Sequence, residues 1–155
     1  MNIVEEFAKA TETLLAAKIE FAVCGGFAMA IHGHARYTKD IDILVLPFDL
    51  EAVVEVMKPC GFDFDAGIIP FTNNSVRRIT KIVGPEYLIL DLLVVNAGLV
   101  DIWNTRTLVE WSGRPVPTVT ALGLARMKRL AGRPQDLVDI ESLGFNPDDP
   151  ILRES

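Results

Sequence analysis

The sequence predicts an α+β fold, a mixed β-sheet flanked by helices with further helices at its C-terminal end. Three observations predict it. Short apolar runs bounded by Gly or Pro recur along the chain, amphipathic stretches of helical period stand between and after them, and their order is not the strand-helix alternation of a simple parallel sheet. A chain of 155 residues can bury roughly 70% of the surface its unfolded state exposes, so it needs neither disulfide nor structural metal to fold. Residues 1–155 read as one domain, with a core of about 19–95 and a helical C-terminal part of about 120–145.

Ile3, Val4, Phe7, Leu14 and Leu15 fall near helical spacing and predict an amphipathic helix over 3–17. Ile19 to Cys24 is a short apolar run that ends in Gly25-Gly26, a buried strand entering a tight turn. Phe27 to His32 is rich in Ala and Met, which favour helix, and Gly33 supplies a stop. Ile41 to Leu46 is β-branched and apolar, Pro47 ends it, and Asp49 stands at the N-cap of a helix over about 50–58. The runs 76–83 and 87–95, separated by Gly84-Pro85-Glu86, predict a hairpin, and 108–111 with 116–119 around Ser112-Gly113 predict a smaller one. Thr120 caps a helix to about Leu130, and Pro134 opens a last helix through Leu143. Residues 62–75 leave strand and loop open.

The net charge of −6 excludes a uniformly basic nucleic-acid coat protein while leaving room for a local basic patch. Cys24 and Cys60 show no C-x-x-C spacing, which points away from a disulfide framework or a zinc site and towards a reducing compartment. The acidic N-terminal residues do not resemble a secretory signal, and the most apolar stretch, YLILDLLVVNAGLV, is interrupted by Asp91 and Asn96. A cytoplasmic protein without a membrane partner is the expectation.

The chemistry is concentrated in FAVCGGFAMAIHGHARYTKDIDILV, residues 21–45. A strand, Gly25-Gly26 and a helix start can bring backbone N–H groups close to a phosphate, because no side chain stands in the way. The second strand opens with Asp40-Ile41-Asp42, and residues i and i+2 of a strand share a face, so the two carboxylates point one way and Ile41 the other. Adjacent carboxylates repel unless a cation stands between them, and oxygen-only ligands favour Mg2+ or Mn2+. Asp91 lies within LILDLLV, where an ionised side chain is costly unless paired or coordinated. If its strand neighbours that of Asp40 and Asp42, the three acids could hold two metal ions about 3.5–4 Å apart, as in-line phosphoryl chemistry requires. The alternatives are an ordinary turn at Gly25-Gly26, a solvent-facing Asp-x-Asp, and an edge strand with Asp91 outward.

Gly25-Gly26, the acids Asp40 and Asp42 alternating on a strand, and a third acid, Asp91, together resemble the nucleotidyltransferase superfamily that includes DNA polymerase β. Gly25-Gly26-Phe27-Ala28 with His32-Gly33, Arg36 and Thr38 is similar to its minimal nucleotidyltransferases and AbiEii-type toxin-like proteins, as is the segment from Lys128 to Asp139. The resemblance spans about 20–143 and implies a nucleotidyltransferase-type sheet. It also implies that Asp40 and Asp42 hold a metal on the β- and γ-phosphates of a nucleoside triphosphate such as ATP, which Gly25 and Gly26 cradle. Asp91 would bind the second metal and help to deprotonate the acceptor hydroxyl. The implied activity is transfer of NMP from NTP to a hydroxyl of an RNA such as tRNA, a protein or a small molecule, with a toxin-antitoxin role and an antitoxin protein as partner. The competing functions are a non-catalytic nucleotide sensor or partner-binding protein and an antibiotic-modifying nucleotidyltransferase.

Basic residues must meet the leaving-group charge. Residues 111–135 carry Arg114, Arg126, Lys128, Arg129 and Arg133 and no acid. Lys128 and Arg129, on a helix, are nucleotide-binding candidates, against the alternative that they complement its dipole. Arg36 and Lys39, just ahead of the acids, are placed for the nucleotide, whereas Arg77, Arg78 and Lys81 read equally well as a solvated strand face. His32 and His34 lack a metal-hydrolase spacing, and His32 reads as a partly buried, hydrogen-bonded histidine.

Overall fold

The computed structural model describes residues 1–35, 37–70 and 74–153. Its centre is a seven-stranded mixed sheet in the order β3-β4-β5-β2-β1-β7-β6. In chain order the strands are β1 (Ala22–Cys24), β2 (Asp40–Val45), β3 (Phe64–Pro70), β4 (Ser75–Val83), β5 (Glu86–Val94), β6 (Thr107–Trp111) and β7 (Arg114–Thr118). The helices are α1 (Ile3–Ala16), α2 (Gly25–Ile31), α3 (Leu50–Met57), α4 (Val100–Asn104), α5 (Ala121–Ala131) and α6 (Pro134–Ser142). Two pairings are parallel, β2 with β5 and β1 with β7, and the other four are antiparallel.

The alternation read in β2 sorts its side chains as expected. Ile41 and Ile43 are buried opposite Leu90 and Leu92 of β5, in the core that also takes Phe7 and Leu14 of α1 and Val53 and Met57 of α3. Asp40 and Asp42 therefore face the other side of the sheet. Phe7 stacks on Phe27 at a centroid distance of 4.1 Å, and Trp111 meets both edge-on, which fastens α1 and the small hairpin to α2.

Local signals account for most boundaries. The Asn2 side chain accepts from the backbone of Val4 and Glu5 to start α1, and Thr120 accepts from Gly123 to start α5. Ser112 and Gly113 both adopt positive φ, 53° and 76°, as a tight two-residue hairpin turn between β6 and β7 demands. Two elements differ from the sequence reading, and a third falls where that reading leaves strand and loop open. Gly25 and Gly26 form the first turn of α2 rather than a separate loop, α4 has no counterpart among the expected helices, and 64–70 is an edge strand. α4 is only five residues long, and β3 has a bulge between Asp65 and Gly67 with much of its length exposed, so the apolar alternation that betrays a strand is weak there. Cys24 and Cys60 are both buried free thiols. Among the described residues no helix is long and apolar enough to cross a membrane.

Candidate active site

One level across the sheet gathers the chemistry. Cys24 of β1 pairs with Asp42 of β2, Asp42 pairs with Asp91 of β5, and Asp91 pairs with Arg78 of β4. Cross-strand partners share a face, so a thiol, two carboxylates and a guanidinium stand in a row, with Asp40 two residues before Asp42 on the same face. Asp40, Asp42 and Asp91 line one cavity of about 1100 Å3 with Gly25, Gly26 and Arg78. Helix α5 also lines it, through Met127, Lys128 and Leu130.

The glycines are required by this crowding. Gly25 has φ 65°, and a Cβ there would lie 2.3 Å from Oδ2 of Asp42, while one on Gly26 would lie 2.7 Å from Oγ1 of Thr38. Any larger residue would displace the side chains that shape the cavity rim.

Burial, followed by the charges of Asp91 and Asp40, pushes the Asp42 carboxyl up to about 7 against the opposing pull of Lys128 and Arg133. Asp40 is raised by burial and by Asp91, and lowered less by Arg78 and Lys39. Burial and Asp42 also hold the Cys24 thiol well above its usual range, which keeps it protonated and unreactive. Among the described residues the Asp40–Asp42 side of the row has no ion-paired cation.

On the other side Arg78 supplies one. Nε of Arg78 donates to Oδ1 of Asp91 at 2.8 Å and Nη2 to Oδ2 at 2.9 Å, a two-pronged pair with Asp91 only 6% exposed. In sequence Arg78 is, with Arg77 and Lys81, a lesser nucleotide candidate that a solvated strand face would explain as well, yet a signal for its pairing with Asp91 exists. A two-residue turn at Gly84-Pro85 pairs Val83 with Glu86, and counting back along the ladder places Arg78 opposite Asp91.

Lys128 lines the cavity from α5, buried, with Nζ 2.8 Å from Oδ2 of Asp139 and 3.7 Å from Oδ1 of Asp136. Gln135 donates to the second oxygen of Asp139, and the Arg133 side chain and backbone N–H both donate to Asp136. Arg129 is not brought to the cavity. Successive helical residues point about 100° apart, and Nε of Arg129 donates instead to the carbonyl of Pro147. Lys39 lines the cavity beside Tyr37 and Thr38. Arg36 lies outside the described residues. Nε2 of His32 donates to the carbonyl of Val119 at 2.8 Å, as a structural histidine does.

Among the described residues no group of three or more His, Cys, Asp or Glu is arranged to hold a metal ion. The donor set nevertheless fits one. Asp40 and Asp42 are hard oxygen ligands, and Mg2+ is characteristically bound by one or two carboxylates plus substrate phosphates rather than by a complete protein cage.

Solved structures share this architecture. ANT(2'')-Ia in complex with adenylyl-2''-tobramycin matches with a TM-score of 0.64 at 12% identity, over 92% of this chain and 87% of that one. This is the nucleotidyltransferase fold. The lincosamide antibiotic adenylyltransferase LnuA, lincomycin-bound, shares it with a TM-score of 0.62 at 15% identity, over 90% of this chain and 95% of that one. A protein of Thermotoga maritima assigned as a nucleotidyltransferase does so with a TM-score of 0.60 at 15% identity, covering 90% and 91%. No protein-family model and no curated protein matches the sequence, so the nucleotidyltransferase fold is carried by the architecture.

Proposed function

We infer that the protein is a divalent-metal-dependent nucleotidyltransferase that moves an NMP group from an NTP to a hydroxyl acceptor. One observation carries this reading: Asp40, Asp42 and Asp91, on two neighbouring parallel strands, face one cavity beside a glycine pair that leaves no room for a side chain. Asp40 and Asp42 would hold Mg2+ or Mn2+, which when bound neutralises charge on the triphosphate oxygens. Gly25 and Gly26 keep the space beside Asp42 clear for those phosphates, and Lys39 and Lys128 line the same cavity. In the transfer the acceptor oxygen bonds to the α-phosphorus, the bond from that phosphorus to the bridging oxygen breaks, and pyrophosphate departs. The hydroxyl proton passes to the carboxylate row, where Asp91 is the candidate acceptor.

The acceptor classes that fit a hydroxyl are RNA, including tRNA, a protein such as a toxin's partner, and a small molecule. Antibiotics belong among them because LnuA and ANT(2'')-Ia share the fold over most of their length. A second reading, nucleotide binding without transfer, is favoured by the hold of Arg78 on both oxygens of Asp91.

The test supplies each of four NTPs labelled at the α-phosphate with Mg2+ or Mn2+ and, in separate arms, tRNA, total RNA, cell protein, a lincosamide and an aminoglycoside. Label on one acceptor with matching pyrophosphate release, both lost in Asp42→Asn, is the expected result. Nucleotide bound without label transfer or pyrophosphate in any arm would transfer the case to the second reading.

A further inference from the structure

The carboxylate row carries its own count of cations. Three aspartates and one guanidinium face the cavity at or next to a single level of the sheet, and Lys128, which lines it from α5, is already engaged by Asp136 and Asp139. The pairing of the three acids is uneven. Asp91 is buried and its two oxygens each accept from Arg78, whereas among the described residues the side chains of Asp40 and Asp42 have no ion-pair partner. A second divalent ion on Asp91 would lie beside the guanidinium that already occupies one acceptor position on each oxygen, so like charges would be pressed together in a partly desolvated site. Arg78 is itself anchored, because it is fixed by the ladder of the β4–β5 hairpin directly opposite the residue it binds.

The geometry points to a one-cation site: a single divalent ion at Asp40 and Asp42, with Arg78 standing where the three-carboxylate arrangement would place a second ion. Arg78 is then a positioning residue that holds Asp91 and fixes the metal count. This rests on the reading of the cavity as a metal-nucleotide site, and departs from the two-ion arrangement that three acids suggest by themselves.

The experiment counts Mn2+ bound to the full chain in saturating α,β-methylene-ATP by equilibrium dialysis, with electron paramagnetic resonance to detect coupling between ions about 3.5–4 Å apart. One uncoupled Mn2+ per chain is expected for the native protein and for Arg78→Lys, which keeps the charge. Arg78→Met, neutral and similar in length, is expected to admit a second, coupled Mn2+. Should Arg78→Met fail to fold, Asp91→Asn decides: it keeps one Mn2+ with affinity changed less than threefold, while Asp40→Asn and Asp42→Asn each lose at least tenfold. Two coupled ions in the native protein, or a loss in Asp91→Asn equal to that in Asp42→Asn, overturns the one-cation site and leaves the nucleotide reading standing. Failure of the native protein to retain any Mn2+ overturns both.

Discussion

Gly25→Ala separates the geometry of the site from the stability of the fold. Gly25 has φ 65°, and an alanine in that left-handed region costs about 1–2 kcal/mol. The new methyl would also lie 2.3 Å from Oδ2 and 2.9 Å from Cγ of Asp42, so the carboxylate must retreat by about 1 Å to regain ordinary contact. Leaving its rotamer adds about 0.5–1.5 kcal/mol. Gly84→Ala is the matched control, since Gly84 has φ 59° and open space around it. It should share the backbone cost without touching the acids. With about 2–4 °C per kcal/mol for a chain of this size, Gly84→Ala should lower Tm by about 2–8 °C and Gly25→Ala by a few degrees more. The decisive readout is Mn2+ affinity in α,β-methylene-ATP: Gly25→Ala should lose about 10- to 100-fold, as when a ligand's supporting contacts are removed, and Gly84→Ala nothing. Equal Mn2+ affinity in the two variants would refute the placement of Asp42 as a ligand beside the glycine turn.

Two further outcomes follow from the same network. Because burial and neighbouring acids raise Asp42 to about 7, the folded state binds more protons than the unfolded state between roughly pH 4 and pH 7, so stability falls as pH rises through that window. In denaturant titrations with chelator present, Asp42→Asn should therefore gain on the native protein at pH 8 relative to pH 5; the same difference at both pH values would show that Asp42 is not strained in its ionised form. Lys128→Met leaves Asp136 and Asp139 buried without their shared cation and should cost about 3–5 kcal/mol, partly restored by adding Asp139→Asn. An unchanged Tm in Lys128→Met would mean that this ion network does not fasten α6 to α5.

The acids were legible because each broke a pattern. Asp40 and Asp42 alternate with buried isoleucines on β2, and Asp91 interrupts an apolar run that forms an inner strand, β5. The glycine pair was legible as a close approach, though not that Asp42 itself is what it approaches, because the β1–β2 register that sets this contact is long-range. Arg78 was obscured by its neighbours: Arg77 and Lys81 are charged too, and they engage Asp65 and Glu6 respectively, so residue type alone did not separate the three. Lys128 and Arg129 looked equivalent in sequence, and only the rotation of α5 relative to the sheet sends one to the cavity and the other to Pro147. Burial of Asp136 and Asp139 was hidden because a buried acid with a partner leaves the same mark in a helix as an exposed one.

The β4–β5 hairpin brings Asp91 and Arg78 to the sheet together. A nascent chain that has completed only β1, α2, β2 and α3 already holds the glycines and the first two acids, but lacks both members of this pair. The third negative charge thus arrives pre-neutralised on a local turn, and the growing sheet is spared the docking of a bare carboxylate against two others.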